Sequence, residues 1–229
     1  MAGSDGTGCL KSSDQTDNQY PLIFQSVYNG PVQYFARIIR EENIVIEQFD
    51  HYSKQTYRNR CRIAGANGIL DLSIPVINEH GRKTRMKDVK IDYSLPWQKN
   101  HFRSIQSAYA TAPFYEFIID DFVYFYERPI RFLMDINKSL LEKVLVILDK
   151  QINISFTESF LPLRNDGSDP RFFIHPKRET QTFDPEFKPA LYNQVFIDKH
   201  GFIPNLSILD LLFNEGLNSI TILESSYSK

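Results

Sequence analysis

The stretch LIFQSVYNGPVQYFARIIREENIVIEQF, residues 22–49, has the pattern of a strand, a short helix and a second strand. Residues 22–27 are largely apolar, and a Tyr-Asn-Gly turn follows them. Pro31 then fits the first position of a helix, whose apolar side chains recur at helical spacing: Val32, Phe35, Ala36 and Ile39. The Ile-Val-Ile run at 44–46 suits a strand buried on both faces. The stretch therefore predicts a right-handed βαβ unit.

Polar side chains follow both of these predicted strands. Tyr28 and Asn29 come after the first strand, and Glu47 lies near the end of the second, with a polar loop over 50–54 behind it. Parallel strands have their carboxyl ends at the same edge of a sheet, where open α/β sheets bind ligands. The sequence therefore predicts a ligand site at this edge.

Further elements extend outward from the βαβ unit. Residues 58–76 predict a hairpin, because Asn67-Gly68 favours a tight turn with positive φ at both central residues. KDVKI (87–91) and INISFTESF (152–160) predict two more strands. Helices are expected from Pro96 onward, over 114–127, over 130–150, and from a cap at Asn205 or Ser207 to Gly216.

The predicted fold class is therefore α/β, with an N-terminal βαβ unit and hairpin in a mixed sheet and a largely helical C-terminal half. Residues 1–19 contain almost nothing to bury, so we expect a disordered tail followed by one α/β domain over 20–229. The proline-rich segment 162–189 holds few aliphatic residues and is expected to form a long ordered loop or a lid.

Composition excludes several classes of protein. The chain has 229 residues, 26 of them basic and 28 acidic, and a net charge of −2 argues against a nucleic-acid binder. No apolar run approaches the roughly 20 residues of a membrane helix, so no membrane insertion is expected. The two cysteines, Cys9 and Cys61, give no disulfide framework, and we expect a cytoplasmic location. No zinc-site spacing and no phosphate-binding glycine loop occurs, so no metal or cofactor is identified.

Basic residues are concentrated in KQTYRNRCR, residues 54–62. Strand alternation places Arg58, Arg60 and Arg62 on one side, with Lys54 just before them. Arginine suits bidentate capture of phosphate or carboxylate, which would make this a site for an anionic ligand. Ion pairs with carboxylates of neighbouring strands explain the same pattern, and both interpretations stay open.

Two residues are candidates for acid–base chemistry. Glu47 ends an apolar strand, where it would serve as a general base or pair with an arginine. His101 lies on the apolar stripe of its predicted helix, so it is a core residue or a catalyst that faces the site. Asp210 closes the pocket, pairs with an arginine or lies on a solvated face, and Cys61 is expected to be a buried structural thiol.

Four stretches resemble the WbqC-like family of bacterial proteins: YNGPVQYFARI (28–38), QFDHYSKQTYRNRCRIAGANGILDLSIPV (48–76), WQKNHFRSIQSAYATAPFYEF (97–117) and NQVFIDKHGFIPNLSILDLLFNEG (193–216). The resemblance implies an association with surface polysaccharide, especially O-antigen, because members commonly occur in such gene clusters. Some members are labelled as transferases that modify sugars with amino-acid or acyl groups. The positions that match the motifs of the family are Tyr28, Lys54, Tyr57, Arg58, Asn59, Arg60, Trp97, His101 and Asp210.

Two functional hypotheses follow from the residues and the resemblance. In the first, the protein is a transferase that moves an acyl or aminoacyl group onto a nucleotide- or lipid-linked sugar, with His101 or Glu47 as the base. Arg58, Arg60 and Lys54 would then hold a phosphate or carboxylate of the small-molecule ligand or donor, which is an acyl, aminoacyl or nucleotide-sugar compound. In the second, the protein is a non-catalytic anionic-ligand-binding or scaffold module of polysaccharide assembly. A homo-oligomer is compatible with both.

Overall fold

A parallel sheet of three strands organises the N-terminal half. The structure is a computed structural model that describes residues 22–77, 83–164, 169–176, 184 and 186–227. Strands β1 (Leu22–Gln25) and β2 (Asn43–Glu47) are parallel and are joined by helix α1 (Val32–Ile38), which confirms the βαβ unit. Strand β5 (Asn153–Phe156) runs parallel to β2 on its other side, so β2 is central in the order β1-β2-β5.

The predicted hairpin forms a two-stranded sheet of its own. Strands β3 (Arg60–Gly65) and β4 (Gly68–Ser73) are antiparallel and pair Gly65 with Gly68. The tight turn therefore has Ala66 and Asn67 at its centre, two residues that do not have positive φ, and Gly68 follows with φ 107°. The predicted turn, centred on Asn67-Gly68, was wrong by one position because the glycine is used directly after the turn.

The second half is mainly helical, as predicted, and contributes strand β5 to the parallel sheet. Their bounds are α2 Trp97–Tyr109, α3 Tyr115–Ile118, α4 Asp120–Glu127, α5 Leu133–Ile147, α6 Pro170–Phe173, α7 Ile197–His200, α8 Ile208–Glu215 and α9 Ser219–Ser225. Residues 87–91 do not form the strand that was expected there. They contain part of a 3-10 turn, Met86–Asp88, and then two isolated bridges, Lys90 with Phe132 and Ile91 with Val76.

Helix α8 lies in the centre of the protein. Ser207 caps its start by accepting a hydrogen bond from the Leu209 N–H at 3.3 Å, and Gly216 ends it with φ 56°. Phe213 packs against the rings of Tyr109, Tyr115 and Phe122. Asp210 is fully buried, so its placement on a solvated face is wrong.

Part of the proline-rich segment 162–189 is described, and it packs on the parallel sheet. Within it α6 begins after Asp169, whose carboxylate accepts a hydrogen bond from the Arg171 N–H at 3.0 Å. Gln25, the last residue of β1, donates from its side chain to the Ile174 carbonyl. The predicted tail 1–19, with Cys9, lies outside the described residues.

The C-terminal end of α8 gives a first test of the packing. In Gly216→Ala, the new Cβ would lie 2.5 to 2.8 Å from three ring atoms of Phe114. The alanine would also have to adopt the positive φ of this position. Gly201 also has positive φ, 70°, but a Cβ there has no atom within 4 Å. We expect Gly201→Ala to lower the free energy of unfolding by about 1–2 kcal/mol through backbone strain. Gly216→Ala should lose about 1–3 kcal/mol more through overpacking.

Urea unfolding of the two variants measures this difference. The Phe114 N–H donates to the Phe213 carbonyl at 2.9 Å, which limits how far the ring can retreat from residue 216. Equal losses in both variants would show that the ring moves aside freely.

Candidate functional site

A buried chain of polar groups lies beyond the carboxyl end of β1. The Tyr28 hydroxyl is 2.9 Å from His101 Nδ1 and 3.0 Å from the Tyr126 hydroxyl. Asn29 donates from Nδ2 to the Tyr126 hydroxyl at 3.1 Å. Tyr28 and Asn29 are placed by the turn after β1, His101 by α2 and Tyr126 by α4. We call these four residues the Tyr28–His101 cluster.

His101 is neutral in this environment. Burial lowers the pKa of its imidazole to about 4, although a hydrogen bond with the Ser73 backbone acts in the opposite direction. A hydrogen bond that raises this pKa is one in which a ring N–H donates to the carbonyl, so we assign the proton to Nε2. Nδ1 then accepts from Tyr28, and all hydrogen bonds of the cluster run in one direction, from Asn29 through Tyr126 and Tyr28 to His101.

Two buried polar atoms beside this chain have no hydrogen-bond partner among the described residues. They are Asn29 Oδ1 and Trp97 Nε1. The Trp97 ring packs edge-on against His101, with centroids 5.1 Å apart. Buried polar groups are usually satisfied, so these two atoms are exceptions in this part of the core.

Cys61 borders the cluster but is not built for catalysis. It is buried on the inner face of β3, and burial raises the pKa of its thiol, which Ser207 and Asn29 hydrogen bonds oppose. A thiol held neutral is a poor nucleophile. This agrees with the structural role predicted for it.

Glu47 has its hydrogen-bonding capacity filled by its own surroundings. Oε1 accepts from the N–H of Phe49 at 2.7 Å, the N–H of Asp50 at 3.2 Å and the Thr157 hydroxyl at 3.0 Å. Oε2 accepts from the Leu161 N–H at 2.9 Å. The carboxylate therefore fastens the end of β2 to the residues after β5, and none of these bonds reaches the Tyr28–His101 cluster.

Sequence reasoning missed the two charged residues beside Glu47. Arg171 Nη1 is 3.9 Å from Glu47 Oε2, and Arg171 Nη2 is 2.6 Å from Asp169 Oδ2. Burial opposes ionisation of Asp169, but hydrogen bonds from Arg171 and Arg164 outweigh it and lower its pKa. The sequence Asp169-Pro170 did carry a signal, since an Asp cap followed by proline is a common helix start.

The arginines of residues 58–62 are paired with carboxylates. Arg58 Nη2 is hydrogen-bonded to Asp50, and Arg60 and Arg62 share Asp71 at 3.2 and 3.1 Å. Burial lowers the pKa of the Arg58 guanidinium, and Asp50 opposes that effect. Only Nη2 of Arg58 is occupied by a described residue, so its other N–H groups remain available to an anion.

The other predicted site residues lie in separate places. Lys54 is exposed, whereas Tyr57 is buried, which raises its pKa to about 12, and its carbonyl accepts from the Tyr28 N–H. Asn59 donates to the Ile74 carbonyl at 2.7 Å. Asp210 accepts from Tyr109, Tyr192 and Gln194, at 2.9, 2.7 and 3.0 Å, and burial raises its pKa. Among the predicted residues, the structure thus brings together Tyr28, Trp97 and His101.

Neither a metal cluster nor a membrane helix is found in the part of the chain that the structure describes. Within it, no three His, Cys, Asp or Glu side chains are grouped so that they could hold a metal ion. Over the same residues, no helix has the length and apolar character needed to cross a bilayer.

The arginine pairs give a second prediction. The Arg58 side chain is 12% exposed and the Arg60 side chain is 24% exposed. Removing Arg58 therefore breaks the more buried ion pair, the one with Asp50. We expect Arg58→Ala to lower the free energy of unfolding by about 2 kcal/mol and Arg60→Ala by less than about 1 kcal/mol. Denaturant unfolding checks both values. A double-mutant cycle of Arg58→Ala with Asp50→Ala that shows no coupling would contradict the pairing.

The protonation of His101 gives a third. Its unfolded pKa is about 6.5, and its native pKa is about 4, so in the interval between them the unfolded chain binds a proton that the native protein does not. Its contribution to stability is complete above about pH 6.5 and is lost as the pH falls toward 4, by about 3 kcal/mol in all. Unfolding curves of wild type and His101→Gln should therefore converge in this interval.

Parallel curves for the two proteins would contradict the buried neutral imidazole. Because other groups titrate alike in both proteins, their contributions cancel in the difference. If His101→Gln does not fold, an NMR titration of the His101 ring protons in the wild type measures the same pKa directly.

Comparisons with known proteins find a family and a relative. The model of the WbqC-like protein family matches residues 25–183, a range that includes the Tyr28–His101 cluster and the arginine pairs. The uncharacterized protein Rv1507c of Mycobacterium tuberculosis (strain ATCC 25618 / H37Rv) is 25% identical over 215 residues, which cover 85% of this chain and 93% of that protein. No solved structure matches the chain. On the family match, which confirms the resemblance of the motifs, this chain belongs to the WbqC-like protein family.

Proposed function

We propose that this protein is a transferase that moves an acyl or aminoacyl group onto a nucleotide- or lipid-linked sugar during surface polysaccharide biosynthesis. The observation that supports this proposal is the neutral His101, with Nδ1 bonded to Tyr28 and with two unpartnered polar atoms beside it. The pathway is taken from the resemblance to the family. The transferred group is taken from the same resemblance, and the imidazole supplies the candidate base.

His101 is the better of the two candidate bases. An acceptor amine or hydroxyl attacks the acyl carbon, a new carbon–nitrogen or carbon–oxygen bond forms, and the leaving group of the donor departs with its electron pair. The proton of the acceptor must go to a base; a neutral imidazole has a lone pair that can receive it, and the low pKa of His101, about 4, makes it a weak base in the absence of substrate. Glu47 accepts four hydrogen bonds and lies beside Arg171, which leaves it little capacity to take up a proton.

The remaining predicted residues would bind the substrates. Arg58 keeps free N–H groups for a phosphate or carboxylate, with Arg60 and Lys54 as further cations. Trp97 and Tyr28 would contact the sugar or base. The other predicted residues hold these elements in place: Tyr57 through its bond to Tyr28, Asn59 through Ile74, and Asp210 through two tyrosines.

Turnover of a His101 variant tests the proposal. Purified protein is incubated with acyl-coenzyme A or aminoacyl donors and nucleotide-sugar acceptors, and mass spectrometry follows the mass gain of the acceptor. We expect His101→Gln to reduce turnover by about 100-fold while substrate binding is kept. His200→Gln is the matched control, because the His200 ring lies at the Gly65 and Ala66 carbonyls and the Phe196 ring, away from the Tyr28–His101 cluster. Undiminished turnover in His101→Gln would remove His101 from the mechanism.

A non-catalytic module that binds an anionic glycan precursor is the second candidate. Two observations favour it: His101 is only 5% exposed, and its ring nitrogens are already bonded to Tyr28 and Ser73. A module needs a cationic surface but no base. His101→Gln keeps ligand binding under both candidates, so the deciding result is turnover: a module yields no product with any donor and acceptor, even as the wild-type protein.

A further inference from the structure

A separate cavity of about 560 Å³ lies apart from the Tyr28–His101 cluster. Its lining is Ile77, Lys83, Thr84, Arg85, Asp88, Lys90 and Phe132. Its volume falls within the range of pockets that bind small molecules. None of these side chains was singled out by the sequence patterns.

The lining carries three cations and one carboxylate. Lys83, Arg85 and Lys90 form no ion pair with any residue that the structure describes, in contrast to Arg58, Arg60 and Arg62. A fourth cation is close, since the Arg131 guanidinium lies 5.1 Å from the centre of the Phe132 ring. Like charges around one cavity repel each other unless an anion lies between them.

The backbone holds these cations in place. Met86 and Val89 are buried and anchor the segment 83–90, so its charged side chains face outward. The 3-10 turn that replaces the expected strand places Met86 and Val89, three residues apart, on its buried side. Lys90 is fixed twice more, by its bridge to Phe132 and by its carbonyl, which accepts from the Ile77 N–H at 2.9 Å.

The same segment is bonded to the loop that follows β2. The Tyr52 N–H donates to the Thr84 carbonyl at 2.9 Å, and the Met86 N–H donates to the Asp50 carbonyl at 2.8 Å. Asp50 also holds Arg58 through its side chain. The cavity wall is therefore attached to the carboxyl edge of the parallel sheet, where open α/β sheets bind ligands.

We propose that this cavity binds an organic phosphate, with Lys83, Arg85 and Lys90 around the phosphate oxygens and the organic part against Phe132 and Ile77. Thr84 can add a hydroxyl hydrogen bond. Arginine and lysine are the residues that commonly bind phosphate, and an aromatic ring suits a base or sugar. The site is distinct from the Tyr28–His101 cluster. Phosphate binding there does not depend on whether the protein catalyses a transfer.

Isothermal titration calorimetry with inorganic pyrophosphate and with uridine diphosphate tests the site. We expect wild type to bind both, and Arg85→Gln/Lys90→Gln to bind each at least about 10-fold more weakly, because two charge-assisted contacts are lost. Lys99→Gln is the matched control: it removes an exposed lysine of α2 that does not line the cavity. Phe132→Leu should weaken uridine diphosphate but not pyrophosphate, since only the former has a base.

Several results would overturn the proposal. One is the lack of heat with either probe at millimolar concentration, and another is equal weakening by Lys99→Gln, which means nonspecific attraction. Loss of binding in Arg58→Gln with full binding in Arg85→Gln/Lys90→Gln would place the anion at Arg58 instead. An equal effect of Phe132→Leu on both probes would refute the contact with the organic part. Because the three cations make no ion pairs with described residues, and Arg85 has only a cation–π contact with the Phe49 ring at 5.6 Å, thermal unfolding of the variants should stay close to wild type and separate binding loss from unfolding.

Discussion

Hydrogen bonds of the buried residue Tyr28 connect the hairpin, α2 and α4 to the end of β1. Its N–H donates to the Tyr57 carbonyl at 2.8 Å, which attaches the hairpin to β1. Its hydroxyl contacts α2 through His101 and α4 through Tyr126. A buried hydroxyl left without partners costs about 1–3 kcal/mol. The hydrogen bonds of Tyr28 therefore fix the distance between these two helices and the sheet. The hydrogen bonds that could serve chemistry at His101 are thus the bonds that fix the packing.

Burial decides which charged side chains must have a partner. Glu47, Asp169 and Arg171 are almost fully buried and bond to one another or to backbone groups. Ionised groups in such places require partners because desolvation is costly. Lys83, Arg85 and Lys90 have no ion-pair partners among the described residues, and each is exposed, so water can solvate its charge. A ligand therefore meets less competition from protein carboxylates there than at residues 58–62.

Patterns local in the chain predicted most of the fold and only part of the site. The βαβ unit, the hairpin, the α8 cap at Ser207 and the Gly216 stop follow from spacing and from turn chemistry. The cross-strand partner of Arg62 could not be predicted in this way. A turn centred on Asn67-Gly68 would pair Arg62 with Ser73, whereas the observed turn pairs it with Asp71. The cations at 83–90 were missed because their convergence depends on bonds to residues 48–52 and 132, which are remote in the chain.

One short segment connects the imidazole to the cavity. Ser73 is hydrogen-bonded to His101, and Ile77 lines the cavity. Four residues of extended chain span at most about 14 Å, so the backbone at the His101 contact and the backbone at the cavity wall lie within that distance. The two places proposed for phosphate binding and for proton transfer are therefore joined by one segment of backbone. Asp50, which pairs with Arg58 through its side chain and accepts from the Met86 N–H through its carbonyl, ties the cavity wall to the loop after β2.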